Sequence, residues 1–222
     1  KRIVILSHGY RGSRFGTLSF MAKYLHEHQC DVLFIEHRCC GDSEGKYITC
    51  GLEERYDCVS WADYIAGRFP SLPIVIEGVS MGATTVLMAS DLEMKNVRCV
   101  IADCGFTSPY EIAKSVLRRD YPRLPVGLLL PICGLFTRLY AGFGLHDAST
   151  LDAVRESRYP ILFIHGTGDT FVPSEMTKEA YAACTSEKEL ILVDSAEHGK
   201  SYLVEKGRVE EALCRFLAAY TE

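Results

Sequence analysis

Ile74-Val75-Ile76-Glu77-Gly78-Val79-Ser80-Met81-Gly82 decides the fold. Residues 74–76 form a short β-branched run after Pro73, and a helical period opens at Met81. Between them, Gly78-Val79-Ser80-Met81-Gly82 fits the pattern G-x-S-x-G in the strand–turn–helix context that gives the pattern meaning. A turn this sharp puts Ser80 in a strained backbone conformation and lifts its hydroxyl above the sheet. Gly78 and Gly82 are small because strand and helix pass close to it. A plain tight turn is the competing reading, and the flanking strand and helix favour a nucleophile over it.

The same alternation extends in both directions. Apolar runs recur at Ile3–Leu6, Val32–Ile35, Val97–Ala102, Ile161–Ile164 and Leu190–Val193. They are apolar almost throughout, which marks strands buried on both faces. Helical periods separate them: Leu18 to His28, Leu52 to Arg68, Met81 to Asp91, Ser174 to Cys184 and Tyr202 to Tyr220. Strand–helix alternation predicts an α/β fold, a mostly parallel open sheet with helices on both faces. From Ser108 to Asp147 the rhythm breaks. Leu124 to Leu145 holds a single charged residue, Arg138, yet Pro125, Pro131 and four glycines argue against a membrane span. The expectation is one domain over 1–222, with a lid of short apolar helices inserted at 108–147.

A serine hydroxyl needs an adjacent base to act as a nucleophile at neutral pH. In this architecture the acid and then the histidine follow the serine along the chain. His165-Gly166-Thr167-Gly168-Asp169 follows the fifth run, and Ala196-Glu197-His198-Gly199 follows the sixth. Both loops lie at strand carboxyl ends, where sites in open α/β sheets form. Asp169 is therefore read as the residue that orients His198, and His198 as the base for Ser80. Asp103, Asp147, Asp194 and Glu197 are the competing acids. His165 reads as structural and His8 as a loop brace. A developing oxyanion needs two donors, assigned to the backbone N–H groups of Met81 and of Tyr10 in the loop Ser7-His8-Gly9-Tyr10-Arg11-Gly12.

Composition sets outer limits. Of 222 residues, 48% are apolar and 24% charged, enough to bury a core without metal or disulfide staples. A net charge of -5 argues against nucleic acid as a partner. The ten cysteines show no CxxC spacing and read as reduced thiols filling small core volumes, with the pair Cys39-Cys40 as a redox alternative. His26, His28 and His37 lie near Cys30, Cys39 and Cys40 without metal-ligand spacing, so no metal is expected. The first residue is Lys1 and a strand-like run begins almost at once, so a preceding segment is expected. No signal peptide is legible, which places the chain in the cytoplasm unless such a segment carried an anchor or export signal.

The set His8-Gly9-Tyr10, Gly78-x-Ser80-x-Gly82, His165-Gly166-x-x-Asp169 and His198-Gly199 resembles the α/β-hydrolase superfamily over nearly the whole chain. It is most similar to the bacterial serine-esterase and prolyl-oligopeptidase-like branch. The turn Glu36-His37-Arg38-Cys39-Cys40-Gly41-Asp42-Ser43 is similar to that family's D-x-R-G-x-G-x-S, with Glu36 in place of Asp and Cys39 in place of glycine. Met81 after the serine resembles esterases and thioesterases more than peptidases. The resemblance implies a serine hydrolase of the carboxylesterase type (EC 3.1.1), acting without cofactor on small to medium acyl or aromatic esters. An aminopeptidase-like enzyme and a non-catalytic binding protein are the alternatives. Leu128, Leu129, Ile132, Phe136, Tyr140 and Phe143 of the lid are expected to wall the substrate pocket, and a membrane-surface role for the lid is a weaker idea.

Overall fold

The structure, a computed structural model, describes residues 1–13 and 19–221. Six strands, β1 (Arg2–Ser7), β2 (Cys30–Ile35), β3 (Ile74–Val79), β4 (Val97–Asp103), β5 (Ile161–Gly166) and β6 (Lys188–Val193), each contain one of the six apolar runs. They form one sheet in the order β2-β1-β3-β4-β5-β6, and every pairing is parallel. β1 is flanked by β2 on one side and β3 on the other, so the chain order reverses there. The carboxyl ends of β1 and β3 therefore open onto a crevice, the usual place for a ligand in such sheets.

Helices cover both faces. They are α1 (Ser19–Glu27), α2 (Glu54–Arg68), α3 (Met81–Met88), α4 (Pro109–Asp120), α5 (Val126–Phe136), α6 (Thr150–Arg155), α7 (Ser174–Ala183), α8 (Ser201–Val204) and α9 (Lys206–Thr221). Strand side chains alternate between two buried clusters, as the period of two requires. Ile3, Ile5, Ile74, Ile76, Ile161 and Phe163 pack with α2, α3 and α7. Val4, Leu6, Val75, Ile101, Leu162 and Ile164 pack with α1 and α9.

The helix ends differ from the sequence reading in local detail. Leu18 and Glu222, part of the expected first helix and of the expected domain, lie outside the described residues. The helix expected over Tyr202 to Tyr220 is split at Glu205, whose φ −120° and ψ 56° leave the helical region. α3 stops at Met88, where turn bonds from Ser90 N to Leu87 O and from Leu92 N to Ala89 O replace it. Between β4 and β5 the chain runs through α4, α5 and a five-residue π turn at Thr137–Ala141, all within the expected insertion at 108–147, and then through α6 beyond it. Ser108 caps α4 by accepting a bond from Glu111 N. All ten cysteines are free. Cys133 and Cys214 are exposed, so the reading of core thiols does not extend to them.

Two buried glutamates show opposite solutions to the same cost. Glu54 is fully buried and accepts from Thr49 N (2.8 Å), Thr49 Oγ1 (2.6 Å) and Gly51 N (2.9 Å). Glu77, in the middle of β3, is also buried, and its Oε2 has no hydrogen-bond partner among the described residues. Burial, and then the nearby charge of Asp103, pushes the Glu77 carboxyl up to about 8 from 4.5. The folded protein thus holds a proton there that the unfolded chain releases above pH 4.5. The stability this proton confers is complete below that pH and is lost as pH rises through about 8. Glu77→Gln should flatten the fall in stability between pH 5 and 8.5 by an amount on the order of a few kcal/mol. Urea unfolding across that range checks it. Equal slopes for parent and variant would exclude a protonated Glu77.

Candidate active site

Ser80 sits between β3 and α3 with φ 58° and ψ −119°, a region that costs a residue with a Cβ about 1–3 kcal/mol. Its N–H is anchored on Asp103 O at 2.8 Å, and its C=O accepts from Thr84 N at 3.0 Å. The glycines on either side are there for clearance. A Cβ on Gly82 would lie 2.1 Å from Ser7 O, and one on Gly78 would lie 2.3 Å from Gly82 C. β1, β3 and α3 thus meet around the serine with no room for a methyl group.

Two loops bring their side chains to it. Ser80 Oγ donates to His198 Nε2 at 2.8 Å. His198 Nδ1 donates to Asp169 Oδ2 at 2.6 Å. A carboxylate can only accept, so Nδ1 carries the proton and Nε2 is free to take one. Asp169 Oδ1 accepts from Phe171 N (2.8 Å) and Val172 N (2.9 Å). Burial would raise the Asp169 carboxyl, but hydrogen bonds from His165 and His198 outweigh it and hold the group well below the usual carboxylate range. It stays a carboxylate through the neutral range and can stabilise an imidazolium on His198.

His165 does more than a strand-end histidine was expected to do. It is fully buried, with Nδ1 2.7 Å from Thr177 Oγ1 and Nε2 2.9 Å from Val172 O. Nε2 also lies 3.2 Å from Asp169 Oδ2. The imidazole therefore fixes both the carboxylate and the loop that carries it. The His-Gly spacing before Asp169 was the available sequence signal. Phe171 packs its ring on His198 with centroids 5.0 Å apart, and the Arg119 guanidinium of α4 lies 4.7 Å over the Phe171 ring. No sequence pattern pointed to that stack.

The competing acids are engaged elsewhere. Asp103 accepts from Ser201 Oγ, Asp147 holds Arg138 and Gly144 N, Asp194 lies 3.4 Å from Thr167 Oγ1, and Glu197 pairs with Lys200. His8 braces the first loop, with Nδ1 on Gly9 O and Nε2 accepting from His37 N. That loop lies against the serine, since a Cβ on Gly9 would be 3.3 Å from Ser80 Cβ and 3.8 Å from Ser80 Oγ. Tyr10 follows Gly9 with its side chain exposed, and Met81 follows Ser80 fully buried at the start of α3. The turn resembling D-x-R-G-x-G-x-S closes as a turn: Glu36 accepts from Asp42 N, and Arg38 holds Asp57 through two bonds of 2.8 and 2.7 Å. Cys39 takes φ 62° where the family pattern has glycine.

Of the six lid residues expected to wall a pocket, Leu128, Ile132, Phe136 and Tyr140 are exposed. Leu129 is partly buried. Phe143 is buried with Leu52, Met88, Leu130, Leu145 and Ala148. Among the described residues, the one group of three donors close enough to share a metal ion is Cys104, Asp169 and His198, two of which belong to the Ser80 hydrogen-bond chain.

An all-parallel sheet with a serine on a strained strand-to-helix turn after β3, and Asp and His on the loops after β5 and β6, defines an α/β hydrolase. Solved structures share this architecture. The Pyrococcus furiosus esterase Pf2001 superposes with a TM-score of 0.78 and 25% identity, over 100% of this chain and 84% of that one. Ferulic-acid-bound Est1E from Butyrivibrio proteoclasticus gives 0.73 and 18% over 99% and 89%, a likeness of fold alone. Among curated proteins, the uncharacterised Bacillus subtilis YqkD is 29% identical over 96% of this chain and 70% of its own length. The uncharacterised Escherichia coli K12 YfhR is 26% identical over 88% of this chain and 62% of its own. Residues 1–127 match the family described as serine aminopeptidase, S33, and the chain belongs to that family. Among the described residues, no helix is long and apolar enough to cross a membrane.

Proposed function

We propose that this chain is a serine hydrolase that cleaves small to medium carboxylic esters through an acyl-enzyme. The observation that carries the reading is the unbroken bond chain from Ser80 Oγ through His198 to Asp169. In the proposed reaction Ser80 Oγ attacks the ester carbonyl carbon while His198 Nε2 takes its proton. The negative charge on the carbonyl oxygen is received by the amides of Tyr10 and Met81. Collapse expels the alcohol, which takes the proton from His198. Water then attacks the acyl-enzyme with His198 as base again, releasing the acid and restoring Ser80. No group beyond these residues and water is needed for the balance. The esterase among the solved neighbours, at 25% identity, supports the choice of bond.

The family description favours a second reading, a serine aminopeptidase with the same machinery. The two separate on substrate. A fluorophosphonate probe should label the parent protein, with the adduct mapping to Ser80 by peptide mass spectrometry. Turnover of p-nitrophenyl esters with little action on aminoacyl p-nitroanilides supports the ester reading, and the reverse supports the peptidase. Apolar contact discriminates by only about 1–3 kcal/mol per methylene, so acyl chains differing by one carbon should differ by less than about 200-fold in kcat/KM. A folded protein that takes no label would end both readings and leave a binding role.

A further inference from the structure

We propose that the outer face of the inserted helices is a docking surface for a lipid layer rich in anionic headgroups. α5 and the π turn after it expose Leu128, Ile132, Leu135, Phe136, Leu139 and Tyr140. The separations of three and four put these six on one face of the helix. Leu139 and Tyr140 are 69% and 68% exposed, values closer to free side chains than to a packed surface. The opposite face is already satisfied, with Leu130 buried against Met88 and Phe143. Tyr121 and Leu124 extend the exposed apolar surface toward α4. Among the described residues nothing covers this surface, and contiguous apolar patches of this kind mark interaction sites.

Charge selects the occupant. The segment 108–147 holds five cations (Lys114, Arg118, Arg119, Arg123 and Arg138) against three anions, a net of +2. The whole chain is -5, so the rest of the molecule carries -7. Arg118 and Arg123 are exposed and make no ion pair among the described residues, while Lys114, Arg119 and Arg138 are paired with Glu111, Asp120 and Asp147. In chain order Arg118 and Arg123 precede the apolar helix and Arg138 follows it, and cations bracketing an apolar helix face that carries Tyr and Phe are the composition of a helix lying in a membrane interface. A second copy of the chain would set this cationic rim against itself, because a two-fold contact is self-complementary. Anionic headgroups neutralise it. α4, which packs against α5, also carries Arg119 over the Phe171 ring beside His198.

The experiment is co-sedimentation of the whole chain with sucrose-loaded vesicles, one set of phosphatidylcholine alone and one containing phosphatidylglycerol. Binding to the anionic vesicles, weakened by salt, is expected. Arg118→Gln with Arg123→Gln should weaken it about 25-fold, since each arginine near such a surface is worth about fivefold. Leu135→Glu with Leu139→Glu should abolish it. These side chains are exposed, so circular dichroism and the thermal midpoint should be unchanged in both variants. Absence of pelleting by the parent, equal pelleting with the two vesicle types, or undiminished binding of the leucine variant would each overturn the proposal. A dimer in sedimentation velocity that the leucine variant dissociates, with no vesicle binding, would overturn it in favour of self-association.

Discussion

Ser80→Ala should lower kcat on a simple aryl ester by about a million-fold, with KM little changed. Loss of the nucleophile leaves the base without a proton to take, and residues that act as a unit fail together. Remaining activity would come from the amides at Tyr10 and Met81 and from substrate positioning. The variant should fold, because alanine keeps the Cβ and the backbone anchor on Asp103 O. It should keep the strain as well, since φ 58° is uncomfortable for any residue with a Cβ. Ser80→Gly should be equally inactive but more stable than Ser80→Ala, by about 1 kcal/mol in a thermal melt. Turnover of Ser80→Ala within about tenfold of the parent would remove Ser80 from the reaction. Equal stability of the alanine and glycine variants would remove the strain.

Gly82→Ala should cost more than about 4 kcal/mol, at the upper end of what one substitution does. The methyl group would sit 2.1 Å from Ser7 O, 2.6 Å from Ser7 C and 2.7 Å from His8 O. All three are backbone atoms at the end of β1, so no side chain can rotate away. Either α3 lifts off the sheet, which opens the core, or β1 loses its pairing with β3. Gly127→Ala is the control: a Cβ there meets nothing within 4 Å, and α5 should gain up to about 1 kcal/mol. Urea unfolding of the two variants reads the difference. A Gly82→Ala protein within about 1 kcal/mol of the parent would rule out the close approach of β1, β3 and α3.

The sheet was legible in the sequence because the inner strands β1, β3, β4 and β5 are buried on both faces over most of their length, and the half-buried edge strands β2 and β6 still carry four-residue apolar runs. The Ser80 site was legible for a related reason. Its three side chains each follow one such run, and a parallel sheet brings all those loops to one edge. The inserted segment was harder to read. A helix as apolar as Val126–Phe136 carries no polar stripe to say which side faces inward, so Leu130, which is buried, and Leu128, which is exposed, look alike in sequence. The Arg119–Phe171–His198 stack joins residues far apart in the chain with no spacing rule between them. Glu77 shows another limit: a charged residue inside a strand run says nothing by itself about whether a partner awaits it.

The cluster that joins α1 to α9 bears on how the chain reaches this state. Met21 and Leu25 of α1 share one sheet face with Val209, Leu213 and Phe216 of α9, and Tyr24 Oη donates to Glu210 O at 2.7 Å. α9 follows all six strands in chain order. During synthesis the strands that carry Val75, Ile101 and Leu162 therefore leave the ribosome before the helix that covers them. An unfinished chain is a sticky one, and the interval before α9 arrives is when a holdase chaperone has something to hold.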